Sequence, residues 1–417
     1  MSVRDSRTRL IEWVDRDRDR LVEFLRKFIR AKSPNPPGNT LEAAAHVAGL
    51  LDEAGLDYRT IAPEPTMPNI VASFDTGRPG PHLVLNGHMD VFPISDDENW
   101  SYDPWAAELV DGKIYGRGAC DMKPGTTASI FTYLYLSQVR DDLTGRLTLT
   151  AVSDEETFGP WGARHLMREH PEVHGDCLLN AEPSSPYTIR FGEKGTYWLD
   201  VIVTTKGAHG AYGHLSPSAT KIAADIIADL ESLSEVEPNP PEDIARAIDA
   251  GRSGMDLAMG PGAGDLASCV TVNIGRIEGG LKVNIIPGTC RFTLDIRLPV
   301  GMSRDEMKIH LDRIIERYPD ARVEEINHSP PSHCDPNGEM MKILQANAEE
   351  SGEYKPSPIV SLGGTDARLW RYENIPAYVY GPMPSGMGAA DEHVDVEEFL
   401  HVVRTHVLSS YDYLKAS

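Results

Sequence analysis

The chain has 417 residues, enough for two domains rather than one core, and carries 63 Asp plus Glu against 40 Lys plus Arg, a formal net charge of -23. Such a surface repels phosphate backbones and anionic bilayers, so nucleic-acid binding and membrane association are excluded as roles. Five scattered cysteines lack CxxC spacing, and neither a secretory apolar stretch nor a run of roughly 20 apolar residues is present, which predicts a reduced, cytoplasmic protein.

Leu10, Val14, Leu21, Leu25, Phe28 and Ile29 recur at helical spacing and predict one amphipathic helix over 7–30, with "DRDRDR" on its wet side. "SPNPPGN" breaks it, and "TLEAAAHVAGLLDEAG" predicts a second helix ending at Gly55. β-rich runs follow at 57–61, 69–75 and 82–87, then a helix over 124–138, the strand "RLTLTAVS", a helix near 160–169 and the strand "DCLLNA". Strands alternating with helices place the chain in the α/β class, with a mostly parallel sheet covered on both faces.

After Gly192 the order becomes β-α-β-β-α-β, that of a small ferredoxin-like α+β module. Its Pro- and Gly-rich stretch at 235–268 predicts a long surface loop. The helix "EMMKILQANAEESG", the strand "IPAYVYGP" and a helix over 395–415 then resume the first style. The expected organisation is a larger domain built from 1–192 and 330–417, with 193–329 inserted into it.

His88, Asp121, Glu155, Glu156 and Glu182 all fall just past the carboxyl ends of predicted strands, the rim where open α/β sheets bind ligands. Four carboxylates converging there repel one another unless cations neutralise them, and divalent metal is the simplest remedy. One imidazole with several carboxylates suits zinc, with manganese or cobalt as alternatives. In "LVLNGHMDVFP", His88 and Asp90 lie on one face if the strand continues through Met89, so one can hold the other.

"GHMDV", "GRGACDMK", "SDEE", "NAEPS" and "VNIIPGTCRFTLDIR", in this order, resemble the M20 family of zinc amidohydrolases and peptidases, which contains acetylornithine deacetylase, succinyl-diaminopimelate desuccinylase, aminoacylase-1 and the glutamate carboxypeptidases. The resemblance implies that His88, Asp121 and Glu182 bind one zinc, and that Asp121 bridges to a second held by Glu156 and a late histidine. It implies that the Asp90 carboxylate accepts a hydrogen bond from the His88 ring and so fixes its tautomer, and that Glu155 is the general base in attack of water on an amide carbonyl. His209 matches a lid histidine that stabilises the oxyanion, often across a dimer, and Arg297 matches an arginine that binds the substrate carboxylate. Asn284, Gly363 and Gly364 match substrate-side segments, and the inserted domain is expected to carry a homodimer contact.

The late histidine departs from the pattern. Counting from Pro382 places it near Gly388, whereas the imidazole in this segment is His393, five residues later. His393 is the expected ligand, with Asp391 or Glu392 next. The implied activity is an amidohydrolase releasing an acyl group from a small, carboxylate-bearing substrate such as an N-acyl amino acid. Glu rather than Asp at position 182 resembles the deacylases more than the dipeptidases. A dipeptidase or carboxypeptidase of the same family is the enzymatic rival, and a metal-binding scaffold without turnover is the other. A free base at Glu155 beside Glu156 argues against the scaffold.

Overall fold

A sheet of nine strands organises the computed structural model of the chain, which describes residues 5–95, 98–352 and 354–415. Strand His82–His88 lies at its centre, parallel to Arg146–Val152 on one side and to Cys177–Asn180 on the other. Alternation along these strands feeds two cores. Leu83, Leu85, Leu149 and Leu179 pack with the helices Lys123–Ser137 and Val396–Leu414, whereas Val84, Val152 and Leu178 pack with Ala163–Glu169 and Ala367–Tyr372. Each such side chain removed from water contributes about 1.5–3 kcal/mol.

The sheet is mixed. Its pairings are four parallel and four antiparallel, because the hairpin Tyr58–Ile61 and Asn69–Asp75 extends one flank and Thr188–Glu193 reverses direction on the other. The expected helix over 7–30 is two helices, Ser6–Arg16 and Arg18–Arg30. Asp17 leaves helical geometry between them, and its carboxylate accepts hydrogen bonds from Arg16 Nε at 2.7 Å and Tyr135 Oη at 3.0 Å.

A second sheet has four strands in the order Thr271–Gly279, Thr289–Leu298, Gly195–Thr204, Ala321–Ser329. Tyr197, Leu199, Val201 and Val203, with Phe292, Leu294, Ile296 and Leu298, bury one face of it under the helices Ala219–Leu230 and Arg304–Ile315, forming a separate core. The stretch expected as a surface loop is instead the helix Glu242–Met259. Although it lies between strands of the small sheet in sequence, its Ile244, Ile248 and Met255 join the larger core. It packs against strand Ser357–Ser361 so closely that a Cβ on Gly251 would stand 2.5 Å from the Pro358 carbonyl oxygen. Among the described residues, no helix is long and apolar enough to cross a membrane.

Candidate metal and catalytic site

The three central parallel strands end in register, with His88 opposite Val152 and Asn86 opposite Asn180. Each end therefore delivers an imidazole or a carboxylate to one place. His88 closes its strand, Glu155 and Glu156 follow Val152, and Glu182 follows Asn180, whose side-chain oxygen accepts the Glu182 N–H at 2.7 Å. Asp121 arrives from the loop before helix Lys123–Ser137, and the carboxylate of Glu392 accepts its backbone N–H at 3.0 Å.

His88, Asp121 and Glu182 form a buried group whose potential ligand atoms lie within 4.8 Å of one another. His88 Nε2 stands 3.2 Å from Asp121 Oδ1 and 3.4 Å from Glu182 Oε1. Ligands about 2.0–2.2 Å from a tetrahedral zinc are roughly 3.4 Å apart, so these spacings fit such an ion. The other ring nitrogen, Nδ1, lies 2.9 Å from the Asp90 carbonyl oxygen. A carbonyl can only accept, so Nδ1 carries the proton and Nε2 faces the acids as the coordinating nitrogen.

The electrostatics also call for a cation. Burial opposes a charge on His88, yet Glu182 and the hydrogen bond with Asp121 raise its pKa well above the usual value. Burial, and then the charge of Asp121, push Glu182 up to about 7. Burial raises Glu155 and Glu156 well above the ordinary carboxylate range, reinforced by Glu182 for the first and Asp121 for the second. Oε1 of each is buried with no hydrogen-bond partner. A buried carboxylate oxygen without a donor is costly, and the donor set fits a hard or borderline divalent ion.

Asp90 plays a different part from the expected one. Its carboxylate is 3.6 Å from His88 Nδ1, beyond hydrogen-bond reach, because the strand ends at His88 and the alternation stops there. The carboxylate accepts instead from the backbone N–H groups of Glu155 at 3.3 Å and Glu156 at 3.1 Å, and from Asn35 Nδ2 at 2.9 Å. Asn35 Nδ2 also donates to Asp154 at 3.1 Å, so it ties the two strand ends together.

Asp121, Glu155, Glu156 and Glu182 line a cavity of about 670 Å³ between the two sheets, walled also by Arg190, Trp198, Arg297, Gly363 and Gly364. Arg297 Nε is paired with Asp295 at 3.0 Å. Its terminal nitrogens make no hydrogen bond among the described residues. Three expected residues lie elsewhere. His209 and Asn284 adjoin each other, with Gly210 N–H donating to the Asn284 carbonyl at 2.8 Å, and His209 lines a separate cavity with Leu281 and Ile285. His393 belongs to the strand His393–Asp395, opposite Tyr115, and its Nδ1 lies 2.8 Å from the Asp391 carbonyl.

A profile for peptidase family M20/M25/M40 matches residues 84–409. The chain belongs to that family. M20 membership makes it an enzyme, a metal-dependent hydrolase. It is 26% identical over 406 residues to succinyl-diaminopimelate desuccinylase 2 of Ruegeria sp. (strain TM1040), covering 94% of each chain. Among solved structures it resembles an M20 metallo-carboxypeptidase from Sulfolobus solfataricus with a TM-score of 0.79 at 19% identity, covering 94% of this chain and 99% of that one. It also resembles a Bacillus subtilis protein described as a dinuclear metal binding peptidase of the M20 family, with a TM-score of 0.66 at 18% identity over 95% and 97% of the two chains.

Arg190 and Arg368 were not singled out from the sequence. Arg190 sits in strand Thr188–Glu193, buried beside the cavity, and a cation inside the apolar run "TIRF" is the signal that could have found it. Arg368, at the end of "GGTDAR", brings its guanidinium to 3.6 Å from Glu155 Oε1 and stacks over Phe158. Asn35 lay hidden in a segment legible only as a helix breaker.

Proposed function

We propose that the chain removes the acyl group from an N-acyl amino acid or a related amine-bearing acid, with zinc held by His88, Asp121 and Glu182. The observation that carries the reading is Glu155, a buried carboxylate whose Oε1 has no hydrogen-bond partner and which lines the same cavity as Asp121 and Glu182. A scaffold has no use for such a group.

A bound divalent ion would supply Lewis acidity toward the amide carbonyl and lower the pKa of water. Glu155 Oε1 takes the proton from the attacking water and returns it to the leaving amine. Asp90 fixes the backbone of this base through the two N–H groups at 155 and 156, and Arg368 stands behind its carboxylate. The terminal nitrogens of Arg297 would receive the substrate carboxylate in a bidentate pair. Gly363 and Gly364, without side chains, leave that wall open to substrate. His209 and Asn284 lie outside this cavity and would reach it from a second copy of the chain.

The desuccinylase relative supports an N-acyl substrate over a dipeptide. The test is amine release from a panel of N-succinyl and N-acetyl amino acids alongside dipeptides, with zinc, manganese or cobalt added. Faster turnover of the acyl amino acids is expected. Preference for dipeptides would make the chain a peptidase of the family, and metal uptake without turnover of any substrate would favour a scaffold.

A further inference from the structure

We infer that this chain holds one tightly bound divalent ion rather than two, because the late loop presents Gly388 where a dinuclear centre would need an imidazole. The inference rests on the metal-centre reading above. Among the described residues, His88, Asp121 and Glu182 are the group whose ligand atoms converge. A second ion beside them would have Glu156 and a shared oxygen of Asp121 to hold it, short of the three protein ligands that a catalytic zinc site takes.

The candidates in the late loop are all committed elsewhere. His393 has Nδ1 on the Asp391 carbonyl at 2.8 Å and its ring 5.0 Å from that of Tyr115, in a strand paired with Lys113–Tyr115. Asp391 accepts from Ser101 N at 2.7 Å and Ser101 Oγ at 2.8 Å. Glu392 uses both oxygens. Oε1 accepts the N–H groups of Cys120 at 2.9 Å and Asp121 at 3.0 Å, and Oε2 accepts Arg117 Nη1 at 2.8 Å. Withdrawing Glu392 to ligate a metal would unseat the loop that presents Asp121.

Gly388 itself stands at the cavity wall. A Cβ built there would touch the Phe92 ring at 3.7 Å, and Phe92, Pro384 and Met387 line the cavity with Asp121 and Glu156. A side chain at this point of the loop would meet Phe92 in the wall of the cavity that Glu156 also lines, and glycine leaves the place without a donor. The loop also passes through Gly388 at a φ of +71°, a left-handed conformation that favours glycine over histidine. Glu156 is accordingly a carboxyl group lining the cavity with its Oε1 buried, not a permanent ligand.

The test is metal stoichiometry. The protein is stripped with a chelator, titrated with zinc chloride by calorimetry, and its metal content is measured by elemental analysis after dialysis. About one ion per chain is expected for the wild type and for His393→Ala, and none for His88→Ala. Gly388→His should take up a second ion. Because histidine is strained at that φ, Met387→His, whose side chain already lines the cavity, is the paired variant, with circular dichroism confirming that both fold. Two ions in the wild type, or no second ion in either folded histidine variant, would overturn the inference. No tight ion at all in the wild type would instead overturn the metal-centre reading beneath it.

Discussion

Glu155 and Glu156 are neighbours in sequence with equally buried, partnerless Oε1 atoms, yet their surroundings separate them. Arg368 stands 3.6 Å from Glu155, and Glu182 and Asp366 are among the groups acting on it, whereas Asp121 bears most on Glu156 after burial. Glu155→Gln removes proton transfer but no ligand, so it should lower kcat by about 10²- to 10⁴-fold at unchanged metal content. Retention of more than about a tenth of the rate would assign the base to another group. That His88, Asp121 and Glu182 converge was legible because their position after strand ends is a sequence pattern, whereas the place of His393 was not. The partner of Asp90 was not, since it depends on the strand stopping at His88, one residue before the alternation could carry the carboxylate onto the imidazole.

Helix Val396–Leu414 is flanked by the strand and loop that carry His393, and its buried side holds two more histidines. His406 Nε2 donates to the Tyr380 carbonyl at 2.6 Å, and burial pushes its pKa down to about 4. Its folded pKa thus lies below the unfolded value of about 6.5. As pH falls from about 6.5 towards 4, the unfolded chain gains a proton that the folded chain refuses, and stability declines by about 1.4 kcal/mol per pH unit. Glu398 on the same helix, raised to about 6 by burial, works in the opposite sense, gaining stability as pH falls below 6. The contribution of His406 is therefore read as a difference. Between pH 6.5 and 5, unfolding free energy should fall less steeply in His406→Gln than in the wild type, by about 2 kcal/mol over the interval. Parallel curves would remove His406 from the acid sensitivity. Periodicity disclosed this helix, as it did most others. It failed at Glu242–Met259, where Gly251 and Gly254, needed for close approach to Pro358 and Ser357, weaken the helical signal, and where prolines on both sides suggested a loop. That misreading also hid a physical link, since the helix returns from the inserted span to the larger core.

At the scale of the whole molecule, His209 poses the remaining question, because it lines a cavity other than the one holding Glu155. The small sheet offers a route to a partner. Its outer strand Thr271–Gly279 is paired on one side only, and Ile277, Leu281 and Val283 are 55%, 86% and 101% exposed along and just beyond it. An apolar edge of this kind is a surface for a twofold copy. If the copy brings its His209 to the neighbouring cavity, each active centre draws Glu155 from one chain and His209 from the other. Glu155→Gln and His209→Ala should then each be nearly inactive alone, with metal retained. Mixed after mild dissociation and reassociation, half of the dimers would be heterodimers, each with one centre that has both groups. Activity should return to roughly a quarter of the wild-type level per site, as random pairing of a symmetric dimer requires. If His209 acted within its own chain, every centre in the mixture would lack one group, and no activity would return. A mixture that stays inactive while sedimenting as a dimer would place His209 in cis or outside catalysis, and a wild-type monomer would remove the shared site altogether.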